Sequence, residues 1–276
     1  MVICFVCSKE ILYVLNHVSQ ELFSHMIVAS LPMYDWPEFR QHTDEFWCRV
    51  ARHAGLSGIL DRTTKFDAAW SNPNMVFSQT CGYPFTHKYN GLLHYIATPH
   101  YDCDGCEGAQ YSSVIFARDE KPFEEFFAAT GVINTPDSMS GMLALKLAVA
   151  PHLRGGEFFK RTRLSGGHRN SLRDVRNGFA DICAIDTVCV ALAKKYCPHE
   201  LDGLVEITRT PMVPALPFVT RAGDVLQLQT ALQKTFADAD LQEVRDALLL
   251  GGCSILSPNS YDIIPNLENA MPHFEL

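Results

Sequence analysis

The sequence predicts an α/β fold of two lobes, with mostly parallel sheets and a hinged central cleft, on three observations. Short buried strands alternate with helix-forming segments, the pattern of βαβ units. Two groups of such units are joined twice, through residues 100–118 and again through 208–220. The tail after the second joining segment returns to the first group, which leaves a cleft between the groups.

The elements follow in order. MIVASLPMYD (26–35) reads as a short buried strand. Trp36, Phe39, Thr43, Phe46, Trp47, Val50 and Ala54 then recur at three- and four-residue spacing, an amphipathic helix with Asp35 as its N-cap and Gly55 as its end. MVFSQT (75–80) is a strand that runs into the turn Cys81-Gly82-Tyr83-Pro84, and LLHYIATP (92–99) is another. HYDCDGCEG (100–108) is a polar loop and YSSVIFAR (111–118) a strand. The pattern then repeats: strand 131–136, helix 137–150, strand 158–164, a helix after His168, strand 181–186, the helix TVCVALAKKY and strand 204–210. PMVPALPF carries three prolines and reads as a linker. The tail holds helices near 222–236 and 239–250 and a loose amphipathic end. This assigns 26–110 and 212–276 to lobe 1 and 111–211 to lobe 2, with 1–25 as an N-terminal extension.

Bulk properties narrow the function. With 276 residues, 47% of them apolar, the chain can bury a sizeable core. A net charge of −8 argues against general nucleic-acid binding, which needs a surplus of Lys and Arg. It does not exclude a small anion, because backbone N–H groups hold anions in acidic proteins. No run of about 20 apolar residues is present to span a membrane. Residues 1–25 lack a positive start, and Lys9, Glu10, Asn16 and His17 break their apolar patches, unlike a secretory signal. Either Met26, directly before the first strand, is the functional start, or residues 1–25 add little to the fold; the intact mass of natively expressed protein checks the first. Ten dispersed cysteines favour a reducing compartment over a disulfide scaffold.

Three segments are candidates for a site. Thr135-Pro136-Asp137-Ser138-Met139-Ser140-Gly141-Met142 joins a strand to a helix. Unpaired helix-start N–H groups, small residues and two hydroxyls suit an oxyanion, and an ordinary N-cap is the alternative. Ser165-Gly166-Gly167-His168 also precedes a helix, and His168 is either an anion donor or a histidine without a role. Asp186 ends a strand, where ligands of open sheets sit, and it either reads a donor on the ligand or caps the next helix. Tyr34 and Tyr83, each after a strand of the first lobe, either wall the cleft or pack.

Enzyme motifs are weak. Ser140, His168 and Asp186 are the residue types of a hydrolytic triad, but Ser140 lacks the GxSxG elbow. Cys103 and Cys106 form a CxxC in a polar loop, without the helix start of a redox motif or a second pair for zinc, so a local disulfide or free thiols is the simpler reading. His87 and His94 are too loosely spaced for a metal. P-loop, GxGxxG and HExxH patterns are absent, and no cofactor is expected.

Four passages together resemble the phosphate/phosphite/phosphonate substrate-binding proteins of ABC transporters, the PhnD-like group. They are ASLPMYD, FSQTCGYP, INTPDSMSGMLAL and SGGHRNSLRDVRNGFADICAIDT. The resemblance runs from about residue 27 to the C-terminus and implies a type II periplasmic-binding-protein fold with the ligand between the lobes. It implies that Ser138, Ser140 and the N–H groups of Met139 and Gly141 hold a small oxyanion together with His168. Tyr34 and Tyr83 would wall the cleft, and Asp186 would read the ligand's non-anionic part. Met139 stands where phosphonate binders often place another hydroxyl. An ABC transporter permease is the implied partner. The family is periplasmic, whereas the cysteines lean cytoplasmic. The alternatives are a cytosolic ligand sensor, or an enzyme on the same fold with pyrimidine-precursor chemistry as an example and Cys81 as the nearest reactive residue.

Overall fold

The computed structural model describes residues 27–276; the expected extension of residues 1–25 and the Met26 start lie outside the described residues. The chain opens with β1 (Val28–Ser30) and α1 (Arg40–His53). Asp35 does not cap this helix, which begins only at Arg40 with Phe39 in the cap position; the Asp35 carboxylate accepts from Arg62 Nε at 2.5 Å instead. A short helix α2 (Phe66–Ser71) precedes β2 (Met75–Gln79), and the expected turn after β2 is a one-turn helix, α3 (Gly82–Thr86). Next come β3 (His94–Tyr101), β4 (Cys106–Glu107), β5 (Gln110–Tyr111), β6 (Ser113–Ala117) and β7 (Thr130–Ile133). The expected helix 137–150 splits into a π-helical turn, Met139–Leu143, and α4 (Ala144–Val149). The second group ends with β8 (Arg161–Leu164), α5 (His168–Arg176), β9 (Ile182–Asp186), α6 (Thr187–Tyr196) and β10 (Val205–Arg209).

The proline-bearing segment expected as a linker holds β11 (Val213–Pro214) and leads into β12 (Phe218–Thr220). Its three prolines exclude helix, yet they fit extended backbone at positions that need no N–H donor. The tail contains the two expected helices, α7 (Val225–Ala237) and α8 (Gln242–Leu248). The end is more ordered than its composition suggests: β13 (Leu250–Ser254) and α9 (Ile263–Asn269) follow. Two glycines hide β13 from a propensity reading. Gly251 is needed there, since a Cβ would run into the Asp102 carboxylate.

Two five-stranded sheets result, ordered β1-β2-β12-β3-β13 and β10-β6-β9-β7-β8. Where the sequence predicts mostly parallel sheets, both are mixed. Strands within βαβ units pair in parallel, as β1 with β2 and β7 with β8 and β9. Strands that arrive from the other lobe or from the tail run against their neighbours, as β12 against β2 and β3, β13 against β3, and β6 against β9. The two crossing segments meet in a third, small sheet, in which β11 pairs antiparallel with β5 and β5 with β4.

Each large sheet is packed on helices. In the first lobe Phe77 is fully buried, with its ring centroid 5.3 Å from Trp47 and 5.2 Å from Phe218. In the second, Ile115, Ile182 and Ile185 are buried with Leu143 and Val149 and with Leu172 and Leu192. Truncating Phe77 removes the ring shared by α1, β2 and β12. Phe77→Ala is expected to cost about 3–5 kcal/mol, read as a lowered denaturation midpoint at unchanged slope.

Candidate functional site

The C-terminal ends of β7 and β9 and the start of α5 face the first lobe across a cavity of about 360 Å³. One wall comes from the second lobe: Asn134, Asp137, Ser138, Ser140, Gly166 to Asn170 and Asp186. The other comes from the first: Met33, Tyr34, Trp36, Phe66, Trp70 and Cys81 among others. At about 30 Å³ per water, this space holds roughly a dozen waters, more than a bare tetrahedral oxyanion would displace.

Ser138, Ser140, His168, Asp186 and Tyr34 all line this cavity. Ser138 caps the π-helical turn: its Oγ accepts from Gly141 N at 3.0 Å, while its carbonyl accepts from Met142 N and Leu143 N. Ser140 Oγ lies 3.0 Å from His168 Nε2. Burial pushes His168 down to about 4, so the ring is neutral at pH 7. Five consecutive residues at the start of α5 reach the cavity, and first-turn N–H groups have no acceptor within their own helix. Gly166 sits at φ +83°, a conformation that favours glycine.

Asp186 caps the next helix and also faces the cavity. It ends β9, lines the cavity and caps α6, with Oδ1 accepting from Val188 N at 2.8 Å and Cys189 N at 3.3 Å. Its Oδ2 accepts from Tyr34 Oη at 2.8 Å, a bond that crosses the cleft. Burial raises the Asp186 carboxyl to about 6 and pushes the Tyr34 phenol well above its usual value.

The assignments of Met139, Gly141 and Tyr83 are corrected. The N–H groups of Met139 and Gly141 are already used, by Cys81 Sγ at 3.3 Å and by Ser138 Oγ, and neither residue lines the cavity. A capping serine and a sulfur facing it from the other lobe satisfy these groups internally. Tyr83 does not wall the cavity either. Its ring stacks on His87 at 3.9 Å and its hydroxyl donates to Glu268 Oε1 at 2.9 Å, drawing it toward α9. The triad does not assemble: Ser140 and His168 meet, but the Asp186 carboxylate goes to Tyr34 and the α6 amides. Cys81 is no ready nucleophile, because burial pushes its thiol up to about 11.

Sequence reasoning missed Arg169 and the aromatic wall. Arg169 donates to Glu38 at 2.8 and 3.0 Å and to Glu200 at 2.6 and 3.0 Å, and its guanidinium lies 4.5 Å from the Trp36 ring. Its neighbour in sequence, His168, was visible beside the glycines, but its partner Glu38 is 131 positions away. Arg169 holds the Glu38 carboxyl down at about 2. The cavity's arginine is thus neutralised by two carboxylates, and Asp137 and Asp186 leave the lining acidic. Asn134 Oδ1 is buried without a hydrogen-bond partner among the described residues and abuts Gly141.

Two outcomes follow from this geometry. A Cβ on Gly141 would overlap Asn134 Oδ1, so Gly141→Ala is expected to lose about 1–3 kcal/mol of stability through overpacking, measured by denaturant unfolding. The folded state binds the Asp186 proton more tightly than the unfolded chain, so this carboxyl makes stability fall as pH rises from about 4 to about 6. His168 acts oppositely, with stability falling as pH drops from about 6.5 to about 4. Asp186→Asn removes the first contribution alone. Its stability relative to the unmodified chain is expected to rise by up to ~3 kcal/mol between pH 4 and 6, at about 1.4 kcal/mol per pH unit of displacement.

Known proteins share this fold. Solved structures of similar fold include PhnD1 of Prochlorococcus marinus in complex with methylphosphonate, with TM-score 0.74 and 13% identity over 89% of this chain and 98% of that one. A binding protein component of an ABC phosphonate transporter from Pseudomonas aeruginosa has TM-score 0.68 and 15% identity over 88% and 86%. A protein from Xanthomonas citri bound to ATP has TM-score 0.66 and 16% identity over 89% and 96%. No curated protein sequence matches. The family model described as "ABC transporter, phosphonate, periplasmic substrate-binding protein" matches residues 74–257, two thirds of the chain, and with the two-lobed fold and its interlobe cavity this makes the chain a member of that family.

Proposed function

We propose that the chain captures an organic oxyanion of the phosphonate type in the cleft between its lobes and presents it to an ABC transporter permease. The observation that carries this reading is the pairing of Ser138 and Ser140 with the α5 N-terminus on one wall of a cavity too large for the oxyanion alone. Ser138 keeps its hydroxyl proton, because its oxygen is the acceptor for Gly141 N. Ser140 donates to the anion when His168 holds its proton on Nε2 and donates to Ser140 Oγ. Backbone N–H groups at the start of α5 add the helix-terminus field. Binding therefore relies on neutral donors, and a ligand that displaces the cavity's water strengthens each charge-assisted bond.

The rest of the ligand faces Trp36, Phe66, Trp70 and Asp186. An apolar wall beside a buried acid suits a short organic substituent that ends in an amine or hydroxyl. Segment 111–211 is the lobe that holds the anion, and segments 26–110 and 212–276 form the lobe that closes on it. Tyr34 to Asp186 and Glu38 to Arg169 are the contacts that form on closure. Ligand favours the closed state only by binding it more tightly than the open one. No chemistry is assigned to the site, in keeping with the incomplete triad and the neutral Cys81 thiol.

A thermal-shift panel tests this reading, with methylphosphonate, aminoalkyl phosphonates, phosphate, phosphite, sulfate, carboxylates and pyrimidine precursors. At about 100 times the dissociation constant a ligand adds about 2.7 kcal/mol, so a melting-temperature rise confined to phosphonates is the expected result. A rise confined to the aromatic precursors would replace the transport reading with the sensor or enzyme one. Ser140→Ala is expected to weaken phosphonate binding by about 1–3 kcal/mol, measured by calorimetry. Asp186→Asn should change the order of preference among phosphonates more than the affinity for the simplest of them.

A further inference from the structure

The first crossing between the lobes carries a feature that ligand capture does not use. Cys103 and Cys106 flank a tight turn in which Cys106 N donates to the Cys103 carbonyl at 3.1 Å and Gly105 sits at φ +88°. Their sulfurs are 3.5 Å apart, both thiols are free, and both residues are partly exposed. The turn is fastened to the start of α6. Gly105 O accepts from Ser112 N at 2.9 Å, Ser112 Oγ at 3.0 Å and Thr187 Oγ1 at 3.3 Å. Cys106 Sγ also lies 3.5 Å from Thr187 Oγ1. Thr187 directly follows Asp186, the carboxylate on which the two lobes meet.

We propose that Cys103 and Cys106 are a reversible dithiol–disulfide pair, oxidised by a low-molecular-weight disulfide, whose state reaches the cleft through Thr187 and Asp186. The Cys103 thiol donates to Cys106 Sγ, which favours Cys106 as the thiolate that attacks. Its sulfur bonds to one sulfur of the small disulfide, whose S–S bond breaks and releases one thiol. Cys103, having given up its proton, then attacks Cys106 Sγ in the mixed disulfide and releases the second thiol. Two protein thiols are oxidised and one small disulfide is reduced to two thiols. The sulfurs close from 3.5 Å to about 2.05 Å. This stiffens the turn and draws Cys106 away from Thr187, loosening the start of α6.

The test uses the full chain without ligand, equilibrated in mixtures of reduced and oxidised glutathione, acid-quenched, alkylated and mapped by peptide mass. Loss of two hydrogens from the peptide holding Cys103 and Cys106, reversed by dithiothreitol, is expected, whereas the exposed Cys48 should form only a glutathione adduct. Cys103→Ser should trap glutathione on Cys106. Amide hydrogen exchange of the bridged form should be slower across 101–113 and faster across 186–190. A pair that stays reduced, or that takes up glutathione without bridging, would overturn the redox assignment. A bridge that leaves exchange at 186–190 unchanged would overturn the coupling to the cleft.

Discussion

The Asp186 carboxylate accepts hydrogen bonds from two places at once, and the cleft is arranged around that fact. Its Oδ1 is held by amides of its own lobe, at the start of α6, and its Oδ2 by the Tyr34 hydroxyl of the other lobe. A charge taken out of water is costly unless it is bonded. Here part of the compensation arrives from across the cleft. Separation of the lobes would replace the tyrosine with water, and approach of the lobes exchanges water for the tyrosine. Charge state and lobe position are therefore linked. Tyr34 in turn leans edge-on against Tyr101, with centroids 5.3 Å apart, so the donor is aimed by the last residue of β3.

Arg169 gives the complementary lesson. A cation in the cavity wall invites assignment to a ligand, yet its guanidinium is divided between Glu38 and Glu200 and laid on Trp36. Fork-to-fork pairing of this kind fixes orientation as well as energy. Because Glu38 and Trp36 belong to one lobe and Glu200 to the other, the residue stitches the lobes together at the edge of the cavity. Under the proposed function, recognition of an anion is then left to hydroxyls and backbone dipoles. Such donors select by the number and direction of acceptor oxygens more than by net charge.

Much of this was legible in the sequence because buried strands and amphipathic helices announce themselves locally. The runs that became β2, β6 and β9 are short and apolar, and the capping chemistry of Ser138 and Asp186 lies within three residues of each. Family resemblance identified these two lobes as a periplasmic-binding-protein fold, which the comparisons bear out. Distance in sequence hid the rest. Glu268, which draws Tyr83 away from the cavity, is 185 positions from it, and nothing near Tyr83 signals that pull. The Met139 and Gly141 amides looked free because a π-helical turn and a facing cysteine cannot be read from spacing. Glycines concealed β13, and prolines concealed β11 and the approach to β12. In each case long-range pairing overrode local propensity.

The pairing of β5 with β11 has a wider consequence. Val213 lies opposite Tyr111 and Pro214 opposite Gln110, so the stretch between them leaves and re-enters the first lobe at a single place. Topologically that stretch is an insertion with adjoining ends, the kind of boundary across which a folded unit can be transplanted without disturbing its host. The half carrying Ser138, Ser140, His168 and Asp186 is thus a cassette. Lineages could exchange it whole against a retained aromatic half, changing one wall of the cavity while keeping the other.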